Sequence, residues 1–283
     1  MESIQLVTKL LILVFVVSSM AALGQSLKFK EIVKPLQNPL LILVILVVNF
    51  VASPALAYLL IWLFPVNASY ETGLLLLSTA AGAPFLPKLV ALARGDVTLS
   101  VSVMILQLVG SIALMPFILH LLIPNLTSDA LSIALPLVLQ VFLPLVLGMV
   151  FRHLAPVLAG CLFPIVRSVS NISALGAIVL LLATNIDPMF SMLGSGAGLL
   201  AFSFVLLAML VGYAGGTVAK SSGIVHALAG GQRNIAAALV IAASNRMGEH
   251  VLVMLVVATF VGLIPLVGAA LYSRKNATPA PSS

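Results

Sequence analysis

Two short stretches, each rich in Gly or Pro and each carrying one cation, decide the fold of this chain: residues 82–88 (GAPFLPK) and residues 229–234 (AGGQRN). Each stretch interrupts a long hydrophobic segment, one in either half of the sequence. A charge at the centre of a membrane helix costs about 2.5–3.5 kcal/mol on insertion scales, so Lys88 and Arg233 indicate a functional role. Interrupted helices at corresponding positions of two halves are the best sequence indication of a transporter's binding site.

The composition defines the class of protein. Hydrophobic residues make up 62% of the 283 residues and charged residues only 7%, which excludes a soluble domain because its apolar surface could not be covered. We therefore predict an all-α polytopic membrane protein, with residues 1–283 forming a single transmembrane domain. The basic residues lie in short loops, so they indicate membrane orientation and no nucleic-acid partner. Cys161 is the only cysteine, so we expect no disulfide, no metal cluster and no cofactor.

Hydrophobic stretches long enough to cross a bilayer predict nine transmembrane helices. They cover about residues 5–23, 39–63, 70–94, 97–122, 131–152, 169–185, 194–216, 222–244 and 249–272, and the third and the eighth are broken. Most cations fall in the loops of one side: Lys28, Lys30, Lys34, Arg94, Arg152, Arg167, Lys220, Arg274 and Lys275. The positive-inside rule then places the N-terminus outside and the C-terminus in the cytoplasm, in a plasma (inner) membrane. Residues 276–283 form a small, polar tail that we expect to be disordered.

Residues 1–24 allow a second interpretation. Lys9, the apolar run 10–17 and the small residues that follow resemble a cleavable signal peptide. Removing this segment would leave the basic residues 28–34 on a free outer N-terminus and would break the alternation of loop charge. We therefore favour a retained first helix, although the sequence does not decide whether it is ever cleaved.

The two halves of the chain correspond weakly to each other. The first broken segment is followed by residues 94–96 (RGD) and a long apolar span, and the second by residues 246–249 (RMGE) and another. With residues 131–152 as an unpaired connector helix, repeat 1 (about 5–122) and repeat 2 (about 169–272) would cross the membrane in opposite senses. This arrangement is the inverted-repeat pattern of secondary transporters.

A set of motifs along most of the chain resembles the bile acid:sodium symporter family. The motifs are residues 20–27 (MAALGQSL), 38–39 (NP), 49–50 (NF), Pro54, 83–84 (AP), 92–101 (LARGDVTLSV), 230–234 (GGQRN) and 236–239 (AAAL), and ARGDVTLSV is the most specific. The resemblance implies a panel domain and a core domain, with the two broken helices crossing near the midplane of the core. It also implies movement of organic anions by alternating access, in a nine-span form that lacks the first helix of ten-span members.

The resemblance implies two sodium sites, which this chain keeps only in part. Where the family has the ligands of the first site, this chain has Pro87, Lys88, Ser100, Met104 and Leu228. A hard cation needs several oxygen ligands, and only Ser100 supplies one. At the second site Asn49 and Gln232 remain, but the shared acidic residue is again Leu228. We therefore interpret Lys88 as a replacement for a sodium ion and do not expect strict sodium coupling.

These observations define the candidate site. The predicted substrate-binding residues are Lys88, Arg233, Asn234, Pro84 and Gly231, and the ion site or its remnant comprises Lys88, Ser100, Asn49 and Gln232. The predicted spans contain no acidic residue near mid-membrane to neutralise the two cations, so the site favours an anion such as a carboxylate, a sulfonate or a bile-acid-like molecule. Structural roles stay open: Arg233 could satisfy freed carbonyls, Gln232 and Asn234 could cap helices, and Asn49 could bond a neighbouring helix.

The predicted function is a secondary transporter for an organic anion that uses alternating access. An enzyme is not expected, because the sequence has no paired carboxylates, no metal-binding spacing and no Ser–Lys arrangement in a supporting context. The alternatives are a sodium-coupled symporter of the same family and an anion channel. Coupling to protons through Lys88, uniport and anion exchange all remain open, as do the substrate and the oligomeric state.

Overall fold

The computed structural model describes residues 2–27, 37–123, 129–184 and 194–276, and within these ranges all regular structure is helical. Eight helical stretches are long and apolar enough to cross a membrane. The prediction of a polytopic, all-helical membrane protein is thereby confirmed. The count is one below the predicted nine because the third predicted span is interrupted over residues 80–85, between helices of 12 and 7 residues that are each too short to cross a bilayer alone. The eighth predicted span is interrupted only over residues 232–234 and still counts as one stretch.

The helices are numbered in chain order. They are α1 (Glu2–Ser26), α2 (Pro39–Val47), α3 (Ser53–Leu63), α4 (Ala68–Thr79), α5 (Leu86–Leu92), α6 (Val97–Leu122), α7 (Ala130–Pro136), α8 (Leu143–Leu154), α9 (Pro156–Thr184), α10 (Ala197–Val218), α11 (Gly223–Gly231), α12 (Ile235–Ser244) and α13 (Glu249–Asn276). Two π-helical turns, Val48–Ala52 and Leu137–Phe142, join α2 to α3 and α7 to α8, so each pair forms one continuous span. The predicted disordered tail lies outside the described residues beyond Asn276.

The sixth predicted span, residues 169–185, is wrong in its first boundary. Helix α9 has 29 residues and begins at Pro156, with only Ala155 between it and the end of α8. Proline suits the first turn of a helix because its missing N–H would be unsatisfied there anyway. The charge of Arg167 suggested a loop, but Arg167 lies eleven residues into α9, inside the membrane-spanning stretch Pro156–Leu180. Arg167 therefore does not belong with the loop cations from which the orientation of the chain in the membrane was predicted.

Helices α1, α8 and α9 pack into one group, which we name the three-helix group. Small residues let α1 and α8 approach closely, as is common between membrane helices. A Cβ atom at Gly24 would overlap the carbonyl oxygen of Leu145, and one at Gly148 would overlap that of Ala21. The three-helix group meets the remaining helices mainly through α12 and α13, next to the second broken segment.

We expect Gly24→Ala to lower the free energy of unfolding by about 1–3 kcal/mol, the usual cost of overpacking, because the added methyl group meets backbone atoms that cannot move aside. Gly160→Ala is the matched control, since a Cβ atom there has nothing within 4 Å. Denaturation of both variants in detergent micelles, followed by circular dichroism, measures the difference. Equal stability of the two variants would contradict close packing of α1 on α8.

Candidate functional site

Both predicted breaks are present. In the first, α4 ends at Thr79 and α5 begins at Leu86. Gly82 lies in this break with a φ of 84°, in the left-handed region that glycine adopts without strain. A Cβ atom there would also overlap the backbone nitrogen of Leu108 on α6. In the second break, α11 ends at Gly231 and α12 begins at Ile235.

The two breaks are bonded to each other through Asn234. Its backbone N–H donates to the carbonyl oxygen of Ala80 at 2.8 Å, and its Nδ2 donates to that of Gly82 at 3.1 Å. Its Oδ1 accepts a hydrogen bond from the backbone N–H of Ala237 at 3.1 Å and so caps the start of α12. The side chain is fully buried. Asn234 therefore caps α12, a role that the sequence left open, and its hydrogen bonds also join the two breaks.

Arg233 lies where the two breaks are bonded to each other, a region that we name the crossing. It satisfies carbonyl groups at two helix ends. Its Nη1 donates to the carbonyl oxygen of Ser78 at 3.2 Å and its Nη2 to that of Gly230. A longer contact of 3.4 Å joins Nη1 to Oδ1 of Asn49. The last carbonyls of a helix lack intrahelical partners and carry partial negative charge, so a guanidinium stabilises them. The side chain is only 7% exposed, and its Nε has no hydrogen-bond partner among the described residues.

Two buried residues of α6 also serve the crossing, and sequence reasoning missed both. Gln107 donates from Nε2 to the carbonyl oxygen of Ala229 at 3.1 Å. The hydroxyl of Ser111 accepts from the backbone N–H of Ala81 at 2.9 Å and faces the carbonyl oxygen of the same residue at 3.0 Å. Polar residues four positions apart on an apolar helix share one face, so the spacing of Gln107 and Ser111 is a signal that could have identified them.

No hydrogen bond joins the predicted ion-site residues Lys88, Ser100, Asn49 and Gln232 to one another within the described part of the chain. The hydroxyl of Ser100 donates to the carbonyl oxygen of Val97 in its own helix at 2.6 Å, and its side chain is fully buried. Asn49 lies in the π-helical turn and donates from Nδ2 to the carbonyl oxygen of Ile45 at 2.9 Å. Gln232 is 8% exposed, and its Oε1 has no hydrogen-bond partner among the described residues.

A cavity of about 660 Å³ opens beside the crossing. All five predicted substrate-binding residues line it: Pro84, Lys88, Gly231, Arg233 and Asn234. Gln232 also lines it, whereas Ser100 and Asn49 do not. Most of the remaining lining residues come from α1, α9 and α13, with smaller contributions from α4, α6, α10 and α12. These walls are largely apolar, with Phe15, Phe163 and Leu266 among them. The described lining residues include three cations and no carboxylate.

Lys88 lines the cavity, as predicted for a substrate-binding residue. Its side chain is exposed towards the cavity, with Nζ 5.5 Å from the centroid of the Phe85 ring, a cation–π contact. No hydrogen bond joins its ammonium to the described residues, so it does not satisfy carbonyls freed by the breaks. Arg233 performs that task instead. Of the two roles predicted for Lys88, this position fits contact with a substrate better than replacement of an ion.

The third cation of the cavity, Arg167, was missed as a site residue because it was assigned to a loop. It lines the cavity from α9, and its charge and that of Lys88 repel each other. Its signal in the sequence was the apolar character of residues on both sides, which continues for a full span from Pro156 to Leu180. Arg167, in the three-helix group, and Lys88, on α5 outside that group, therefore face one cavity.

The helical spans and the two bonded breaks define a polytopic membrane protein of the transporter class. The family model of the sodium bile acid symporter family matches residues 10–192, well over half of the chain, and the chain belongs to that family. Proteins of this family are membrane transporters and not enzymes. The comparison with curated proteins gave no match.

Proposed function

We propose that the chain is a secondary transporter that moves an organic anion across a membrane by alternating access, without strict sodium coupling. The observation that carries this proposal is the cavity beside the two breaks, whose described lining has Lys88, Arg167 and Arg233 but no carboxylate. Uncompensated positive charge next to apolar walls attracts an anion with a hydrocarbon body. A bile-acid-like molecule or a smaller carboxylate or sulfonate has this chemistry.

The packing supports alternating access. The cavity lies between the three-helix group and the helices that hold the two breaks. We assign the three-helix group, together with α7 in the same span as α8, as the panel and the remaining helices as the core, with repeat 1 (about 5–122) and repeat 2 (about 169–272) as inverted repeats. Rocking of the core against the panel would expose the cavity to each side of the membrane in turn. The N-terminus outside, the C-terminus in the cytoplasm and a plasma (inner) membrane location remain part of this proposal.

Counterflow in liposomes tests the function. Purified protein is reconstituted, the vesicles are loaded with an unlabelled organic anion, and uptake of the same labelled anion is measured from outside. A transporter that alternates between two states gives uptake above equilibrium that depends on the internal anion. Uptake that is independent of internal anion, together with large single-channel currents, would instead indicate an anion channel.

The bonding at the crossing disfavours a sodium ion. Carbonyl oxygens that a broken helix would offer to a cation already accept hydrogen bonds from Gln107, Arg233 and Asn234. The guanidinium of Arg233 also contacts Oδ1 of Asn49, one of the two side-chain oxygens left at the second sodium position. A positive charge at that point repels a second cation. The first position retains only Ser100, whose hydroxyl bonds within its own helix.

We therefore expect anion transport to persist when sodium is replaced by potassium or choline, with the initial rate unchanged within a factor of about two, because no complete set of hard oxygen ligands remains. The measurement is counterflow in the three salts at constant ionic strength. A thermal unfolding scan with each salt serves as the control for binding without transport. A steep dependence of rate on sodium, or a shift of the melting temperature on adding sodium alone, would contradict this expectation.

One observation keeps sodium symport as the second candidate. Oε1 of Gln107 and Oε1 of Gln232 are buried acceptors without hydrogen-bond partners among the described residues. Buried acceptors are usually satisfied, so a cation or a water molecule would be favourable at either oxygen. The salt replacement decides between the candidates, because a cation held at Gln232 would make transport depend on it.

A further inference from the structure

We propose that the transported molecule carries two anionic groups, and that Arg167 of α9 binds one of them while Lys88 of α5 binds the other. The proposal rests on the proposed anion transport and narrows its substrate to an organic dianion.

The position of Arg167 supports a role in the cavity. Phe163, Arg167, Ser170 and Asn171 all line the cavity, and their spacing places them on one face of α9. Apolar residues on other faces of the same helix are exposed on the protein surface, among them Ile165, Ile172 and Leu175. A cation near the middle of a span is costly against lipid. The cavity is therefore the favourable environment for the guanidinium.

Arg167 and Lys88 differ from Arg233 in their hydrogen bonding. Neither side chain has a hydrogen bond or an ion pair with the described residues, whereas Arg233 is bound to two carbonyl groups and is nearly buried. The described part of the lining also offers them no carboxylate. The positive charges of Lys88 and Arg167 are therefore available to be neutralised by a molecule bound in the cavity.

The charge balance favours a dianion over a monoanion. One anionic group leaves either Lys88 or Arg167 without a counter-charge in a cavity with mostly apolar walls, where interactions between charges are stronger than in water. Two anionic groups neutralise both cations and remove their mutual repulsion. The aromatic side chains Phe85 and Phe163 lie next to Lys88 and Arg167 and can contact the hydrocarbon that joins the two groups. Arg167 belongs to the proposed panel and Lys88 to the proposed core, so a molecule bound to both residues bridges the two domains.

Counterflow with matched pairs of compounds tests the proposal. The probes are saturated α,ω-dicarboxylates of increasing chain length and the monomethyl ester of each, which differ from the diacids in a single charge. Each compound competes with uptake of a labelled diacid into liposomes that contain the wild-type protein. For at least one chain length we expect the diacid to compete roughly ten- to hundredfold better than its ester, as befits one additional charged hydrogen bond.

Variants assign the second charge to its residue. Arg167→Gln should remove most of the preference for the diacid by lowering the affinity for the diacid much more than that for the ester, while Arg167→Lys should keep the preference in part. Arg274→Gln is the matched control, because Arg274 is exposed at the end of α13 and does not line the cavity. The wild-type comparison needs no variant, so the test stands even if Arg167→Gln fails to fold.

The outcomes separate this proposal from the proposed function. Equal competition by diacid and ester at every chain length would overturn the dianion proposal, although anion counterflow itself would still support transport. An equal loss for both compounds in Arg167→Gln would show that Arg167 does not recognise a second anionic group. Absence of counterflow for every organic anion would instead contradict the proposed function.

Discussion

Lys88→Met is expected to reduce anion transport by at least about ten- to hundredfold, because it removes a charged hydrogen-bond donor that faces the substrate cavity. The fold should persist, since the ammonium of Lys88 makes no hydrogen bond to the described residues and methionine has a similar length and volume. The measurement is counterflow of a labelled organic anion by variant and wild-type protein at equal reconstitution.

Lys275→Met is the matched control for this experiment. Lys275 lies in the last turn of α13 and does not line the cavity, so its replacement should leave transport near the wild-type rate. Transport should be followed over a range of pH, because proton coupling through Lys88 would change the pH profile as well as the rate. Normal transport by Lys88→Met at every pH would show that Lys88 has no part in binding or coupling.

Arg233→Met is expected to have the largest effect on stability, with the free energy of unfolding lowered by about 2–5 kcal/mol. The substitution leaves the buried carbonyl group of Gly230 without its Arg233 donor and the carbonyl group of Ser78 with only the longer hydrogen bond from Ser53, and an unsatisfied buried group costs about 1–3 kcal/mol. Arg233→Gln keeps some hydrogen-bonding capacity and should lie between the wild type and Arg233→Met. Denaturation in detergent, followed by circular dichroism, gives the three free energies.

Arg274→Met, an exposed change at the end of α13, should stay within about 0.5 kcal/mol of the wild type and so provides the control. A binding titration with an anion and a neutral analogue then separates the two roles of Arg233. If Arg233→Gln lost affinity for the anion alone and kept full stability, the guanidinium would recognise the charge of the substrate and would not hold the crossing together.

The predicted breaks and the residues around them follow closely from the sequence. Proline and glycine disrupt a helix wherever they fall, because proline lacks the backbone N–H and glycine adopts positive φ without strain. Residues 82–88 and 229–234 therefore revealed both breaks, and the nearby residues Lys88, Gln232 and Arg233 line the cavity as a consequence. The length of the apolar segments similarly indicated a membrane protein before any contact was known.

The position of Arg167 in a membrane span does not follow from the local sequence. A charge inside an apolar segment can mark a loop or a functional cation in a span, and local hydropathy does not distinguish them. The distinction depends on whether α9 turns that residue towards lipid or towards a cavity, and helices α1 and α5, distant in sequence, form the other walls of that cavity. The loop assignment failed for this reason.

By itself, the sequence determined the membrane class, the positions of both breaks and the family to which the chain belongs, because these depend on local backbone preferences, segment hydropathy and motifs. Only the tertiary structure decided how the three cations divide their tasks. Arg233 donates to a carbonyl group 155 residues away, whereas Lys88 and Arg167 line the cavity and make no hydrogen bond or ion pair with the described residues. The role of a charge depends on which groups lie within hydrogen-bond distance, and helix packing alone brings those groups together.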